Sequence, residues 1–119
     1  MKTFRELKAW QRAHELVLKV YKVTTNFPER EKFGLISQMR RSSISIPANI
    51  VEGFKRRSDK EFKQFINIAA ASLEETKYYL ILSVDLKYMN QEDYQELMEL
   101  ADEVGKMLHG FYKKLNLER

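Results

Sequence analysis

The 119-residue chain has no cysteine, one tryptophan, two prolines, two histidines and four glycines. Without cysteine there can be no disulfide scaffold, thiol nucleophile or thiolate-ligated metal. His14 and His109 are isolated from one another and from any ligand-spaced partner, so neither a zinc site nor any cofactor is expected. Gly34, Gly53, Gly105 and Gly110 are scattered and form no glycine-rich phosphate loop. Scarce glycine and proline also argue for helices over strands. No apolar run approaches the ~20 residues of a membrane span. The opening Met1–Leu7 has no continuous apolar stretch of the kind a secretory signal carries. The expected location is therefore cytoplasmic, with no membrane partner. Hydrophobic residues make up 44% and charged residues 32%, a balance that folds, and the length is that of one domain spanning residues 1–119.

Helical periodicity fills the chain. In a first segment, Phe4 to Asn26, Leu7, Trp10, Ala13, Val17, Val20 and Thr24 recur at steps of three or four, widened by Leu16, Val23 and Phe27. Phe27-Pro28 ends it, because the residue before proline avoids the α region. A second, Glu31 to Lys55, carries Leu35, Met39, Ser43, Ile46 and Ile50. Pro47 falls inside it, and predicts either two short helices or one helix kinked where the Ser43 carbonyl loses its donor. A third opens on the capping box Ser58-Asp59-Lys60-Glu61 and continues through Phe62, Phe65, Ala69, Leu73, Thr76, Leu80 and Ser83 to about Tyr88. Residues 78–82 are apolar or aromatic all round, which predicts burial on several sides. The fourth starts at the N-cap Asn90, and Tyr94, Leu97, Ala101, Val104, Leu108, Phe111 and Leu115 form a strict heptad. Connections at 27–30, 56–58 and 89–90 are short, so the fold class is all-α, an up-down-up-down antiparallel four-helix bundle. Its apolar surface exceeds what a monomer of four helices covers, which predicts a homo-oligomer.

Markers of bundle enzymes are missing. The residues three before His14 and His109 are Gln11 and Lys106, so the Glu-x-x-His pairs of di-iron bundles are absent. No arginine stands where some helical ribonucleases place one ahead of their histidine: those positions are Leu7, Lys8 and Ala9 before His14, and Asp102, Glu103 and Val104 before His109. The second helix holds a polar stripe instead: Gln38, Arg41, Ser45, Asn49, Glu52 and Arg56 step 3, 4, 4, 3, 4. Such a stripe serves either as a substrate or nucleic-acid groove, or as a polar network fixing helix register or a subunit interface. No histidine lies near Ser43 or Ser45 to act as a base.

The net charge of +4 hides an asymmetry. Residues 1–60 hold 14 Lys/Arg against 6 Asp/Glu, a net +8, and residues 61–119 hold 7 against 11, a net −4. Complementary faces within a bundle, or between subunits, would account for this, as would a surface for an anionic partner. Arg40-Arg41 and Lys55-Arg56-Arg57 cluster at the two ends of the second segment, roughly 22–24 Å apart if that helix is continuous. Phosphate contacts from these five would bind nucleic acid with little sequence preference. Lys2, Arg5, Lys8, Arg12, Lys19 and Lys22 of the first helix would extend the field.

The stretch from Gly34-Leu35-Ile36-Ser37-Gln38-Met39-Arg40-Arg41 through Ser45-Ile46-Pro47-Ala48-Asn49-Ile50-Val51-Glu52-Gly53 resembles the signature of the bacterial proteins encoded in 23S ribosomal RNA intervening sequences, sometimes labelled S23 ribosomal protein. Leu7-Lys8-Ala9-Trp10-Gln11, Phe27-Pro28, Glu31-Lys32-Phe33-Gly34, Glu61-Phe62 and Ser72-Leu73-Glu74-Glu75 extend the likeness over nearly the whole chain. The resemblance implies one long second helix despite Pro47 and a ring-shaped homopentamer. The family is similar to accessory proteins of diversity-generating retroelements, which bind nucleic acid and a reverse transcriptase. It assigns no chemistry to Arg41, Ser45, Asn49, Glu52 or Gly53. The expectation is thus a non-enzymatic oligomeric bundle that binds RNA or DNA through its basic N-terminal half. The alternative is a protein-interaction scaffold or accessory subunit with no direct nucleic-acid role.

Overall fold

The structure, a computed structural model, describes residues 2–117, with side chains to Leu115. It holds four helices, α1 (Lys8–Thr24), α2 (Leu35–Phe54), α3 (Asp59–Asp85) and α4 (Gln91–Leu117), with 3-10 turns at Phe4–Glu6 and Glu29–Glu31. α1 and α3 each pack against α2 and α4, and neither diagonal pair approaches closely. With short turns between successive helices, this is the expected antiparallel four-helix bundle. Its extents are 47 × 24 × 21 Å, the long one set by the 27-residue helices α3 and α4, each about 40 Å by helix rise.

Caps explain where the helices start and stop. Ser58 Oγ accepts the Glu61 amide at 3.2 Å and Asn90 Oδ1 accepts the Asp93 amide at 2.7 Å, as the sequence predicts for α3 and α4. Three boundaries differ. α1 starts at Lys8, four residues later than expected, because Thr3 Oγ1 caps the preceding 3-10 turn through the Arg5 amide and Leu7 is extended (φ −75°, ψ 122°). α2 starts at Leu35 because Gly34 breaks the helical path (φ −112°, ψ −112°). The Glu31 carboxylate reaches over the break to accept the Leu35 amide at 3.1 Å and the Tyr88 hydroxyl at 3.0 Å. A side chain at position 34 would meet Glu31 Oε1 at 2.7 Å. α3 ends at Asp85: Lys87 adopts φ 65°, and the Tyr88 and Lys87 amides close onto the Ser83 and Val84 carbonyls at 2.9 Å each. This is the paired-bond helix end that usually carries glycine at its left-handed position.

α2 passes through Pro47 to Phe54 as one helix, which excludes the reading as two short helices. Its Ser43, Ile46, Pro47 and Ile50 are all buried. On α3 the buried residues are Phe62, Ile66, Ala69, Leu73, Thr76, Leu80 and Ser83, a strict 4, 3 alternation with Ile66 where the sequence pattern had Phe65. The α4 heptad faces inward from Leu97 to Leu108 as expected. The apolar run at 78–82 is buried on one side only: Tyr78 and Ile81 remain 56% and 44% exposed. Buried hydroxyls are satisfied locally, Thr24 by the Val20 carbonyl at 2.8 Å and Ser83 by the Tyr79 carbonyl at 2.7 Å. Among the described residues no buried side-chain donor or acceptor lacks a partner.

At Gly53 α2 lies close against α3, and a Cβ there would lie 2.6 Å from Phe62 Cδ1 and 2.9 Å from Phe65 Cβ. Gly53→Ala is therefore expected to destabilise the fold by about 1–3 kcal/mol, as overpacking does, read from the urea midpoint. Lys87→Gly removes a Cβ from a left-handed site and should stabilise by about 0.5–1 kcal/mol in the same assay. The hydrogen bonds from the Leu35 amide and the Tyr88 hydroxyl hold the Glu31 carboxyl below its ordinary pKa. Its contribution is thus fully present above the unfolded-state value of about 4.3 and fades as pH falls through the lower folded-state value. Glu31→Ala should lower the melting temperature by a few degrees at pH 7, and the gap should close in acid. A gap that persists below that range would show the carboxylate charge is not what caps α2.

Candidate nucleic-acid interface

Every polar-stripe residue lies along α2 or just past its end, on the side turned toward α3, yet the stripe divides by burial. Its middle is engaged between helices. Ser45 Oγ and Ser72 Oγ are 2.8 Å apart, and Asn49 Nδ2 donates to the Ser45 carbonyl at 2.7 Å and to Ser45 Oγ at 2.9 Å. One turn earlier and deeper, Ser42 Oγ and Thr76 Oγ1 are also 2.8 Å apart. These two hydroxyl rungs couple α2 to α3, and a one-turn slip would break both. Outside them, Gln38, Arg41, Ser45, Ser72 and Glu75 line a polar groove. Glu75 there accepts from the Tyr79 hydroxyl at 3.0 Å, and burial followed by this carboxylate raises the Tyr79 pKa. At the far end the Arg56 guanidinium donates to Glu52 at 3.3 Å and lies 4.6 Å from the Phe65 ring centroid. Sequence periodicity missed the α3 half of this surface. Ser72 falls outside the inward pattern of the third segment, and Phe65 reads there as core.

The basic residues separate in the same way. Arg40 and Arg41 are adjacent, but a helix turns 100° between them. Arg40 faces α1, where Nε donates to Thr24 Oγ1 at 3.0 Å, Nη2 donates to the Tyr21 carbonyl at 3.4 Å, and the guanidinium stacks 4.4 Å from the Tyr21 ring. Arg41 opens onto the α2–α3 groove. Arg41, Lys55 and Arg57 are exposed and meet no carboxylate among the described residues. Because α2 is continuous, the two clusters stand roughly 22 Å apart along its axis.

On the opposite side of the molecule the charges pair off. Arg12 Nε and Nη2 meet Glu103 at 2.8 and 3.0 Å, and Nη1 meets Glu15. Lys19 meets Glu96, and Lys77 bridges Glu74 and Asp102 at 3.0 Å each. Hydrogen bonding to Glu103 raises the Arg12 pKa, and the hydrogen bond from Lys19 lowers that of Glu96. Burial works against the Lys77 charge, but its two carboxylates prevail and its pKa is raised. Basic α1 thus meets acidic α4 within one chain, which accounts for part of the charge asymmetry. Arg12 and Lys19, expected to extend the basic field, are each paired with carboxylates of α1 or α4. His14 stacks on Trp10 with centroids 5.0 Å apart and planes 6° from parallel. His109 lies with Asn67 and Tyr112 in a shallow groove between α3 and α4. Among the described residues no three His, Asp or Glu converge as a metal site, and no helix is long and apolar enough to cross a membrane.

Ser42→Ala leaves the buried Thr76 hydroxyl bonded only to the Ser72 carbonyl at 2.9 Å. Removing one partner of such a pair is expected to cost about 1 kcal/mol, while Ser42→Ala/Thr76→Val should recover much of that. A double-mutant cycle in urea measures the coupling.

The sequence profile of the 23S rRNA-intervening sequence proteins matches residues 5–110. Among solved structures, a protein of unknown function from the S23 ribosomal protein family of Bacteroides thetaiotaomicron superposes with a TM-score of 0.79 at 30% identity, covering 88% of this chain and 98% of that one. No functionally curated protein matches the chain.

Proposed function

The chain belongs to the 23S rRNA-intervening sequence protein family, and from that membership and its surface chemistry we propose a non-enzymatic, homo-oligomeric protein that binds RNA or DNA along the α2–α3 face. One observation carries this reading: Arg41, Lys55 and Arg57 remain exposed without carboxylate partners, while the cations of α1 nearest α4 are neutralised there. Together with Arg56, which Phe65 and Glu52 hold in place, they line one edge of the molecule. Along α2 the polar side chains of Ser45 and Asn49 lie between Arg41 and the Lys55–Arg57 cluster, and Gln38 lies one turn beyond Arg41. Arg40 orients α1 against α2 in this reading and is not a phosphate contact.

A salt titration of RNA binding by nucleic-acid-free protein tests it. Four phosphate contacts give a log–log slope of roughly −2.8 for a single strand. Arg56→Glu/Arg57→Glu should weaken binding to all sequences alike and flatten the slope by about 1.4, whereas Arg40→Gln should leave the slope unchanged. Failure to bind at low salt would overturn the nucleic-acid reading. A protein scaffold would then be favoured, supported by the exposed Ile68, Tyr78 and Ile81 on α3.

A further inference from the structure

Phe33 is 88% exposed, with the Lys32 ammonium over its ring, 5.6 Å from the centroid. It does not sit on a loose loop. The Lys32 and Gly34 amides donate to the Glu29 and Glu31 carbonyls at 3.0 Å each, and the Glu31 carboxylate ties the turn to both Leu35 and Tyr88. The turn therefore presents an aromatic ring to solvent on a rigid mount. Little conformational freedom remains to be lost when such a ring is buried against a partner.

A matching receptor lies elsewhere on the same chain. Between α1 and α2, the side chains of Phe4, Trp10, Val17, Ile44, Pro47 and Val51 line an open groove of about 340 Å³ in which His14 is the single polar residue. Among the described residues no Lys, Arg, Asp or Glu lines it. Phe33 of the same chain cannot fill it, since Pro47 lies roughly 18 Å along α2 from the helix start at Leu35.

We propose that Phe33 of one copy seats in the Trp10–Pro47 groove of a second copy. This rests on the homo-oligomeric part of the proposed function and names its contact. Projection and receptor are different surfaces, so repetition around an axis closes a ring, and reciprocal exchange closes a dimer. An aromatic seated in a desolvated pocket is the usual form of an interface hot spot.

Light scattering on nucleic-acid-free protein, with circular dichroism to check folding, tests this. The unaltered chain should be multimeric, and Phe33→Asp and Ile44→Lys should each weaken assembly by about 30-fold or more. Mixing the two variants should then give a 1:1 complex, because one retains an intact groove and the other an intact Phe33. A Phe33→Asp protein with unchanged mass would overturn the contact and leave oligomerisation standing. Two monomeric variants that form no complex on mixing would overturn the pairing of ring and groove. A monomeric unaltered chain would overturn both this contact and the oligomeric reading.

Discussion

At Gly53 a single hydrogen separates the α2 backbone from the Phe62 ring and the Phe65 Cβ, and the spacing of the two helices at that end follows from it. Once they are this close, the Ser42–Thr76 and Ser45–Ser72 hydroxyl pairs meet at 2.8 Å, which fixes where one helix stands along the other. That register also sets Ser83 against the Met39 sulfur and brings Arg56 over Phe65. The α2–α3 face therefore has a geometry determined from within the bundle. On this surface Arg56 is held by Glu52 and Phe65 without a ligand, which lowers the ordering cost of that one contact on binding.

Two opposite seams of the bundle use different physics. α2 and α3 are joined by close backbone approach and hydroxyl pairs, whereas α1 and α4 carry a ladder of ion pairs around Arg12, Lys19, Glu96 and Glu103. Those side chains are a third or more exposed, so each pair adds little stability. Their larger effect is on the electrostatic surface. They cancel positive charge on the α1–α4 side, whereas Arg41, Lys55 and Arg57 near the ends of α2 meet no carboxylate among the described residues.

Helix number, order and most inward stripes were legible in the sequence, since residues such as Leu97, Ala101, Val104 and Leu108 repeat at heptad spacing regardless of partner. The capping signals of Ser58 and Asn90 were equally local. Elements depending on distant residues were not legible. The start of α2 is set by a carboxylate four residues upstream that also bonds Tyr88. The end of α3 is set by a lysine in a conformation that its own side chain disfavours. Ile66 rather than Phe65 faces the core because the phenyl ring finds Arg56 on the flank. The candidate site was half visible: one helix's periodicity gathered Gln38 to Arg56, but it could not supply Ser72 and Glu75 from α3. Nor could it show that adjacent Arg40 and Arg41 serve opposite sides of α2.

The turn at Gly34 places two residues in one volume. Glu31 Oε1 occupies the space that a Cβ at position 34 would need, and the same oxygen holds the first amide of α2. The two positions are therefore a single unit of sequence. A larger residue at 34 displaces the carboxylate and uncaps the helix. Loss of the carboxylate at 31 removes the contact that demands glycine. Across related chains the pair should change together or not at all, and a glycine at 34 unaccompanied by an acid at 31 would mark a chain whose second helix starts in another way.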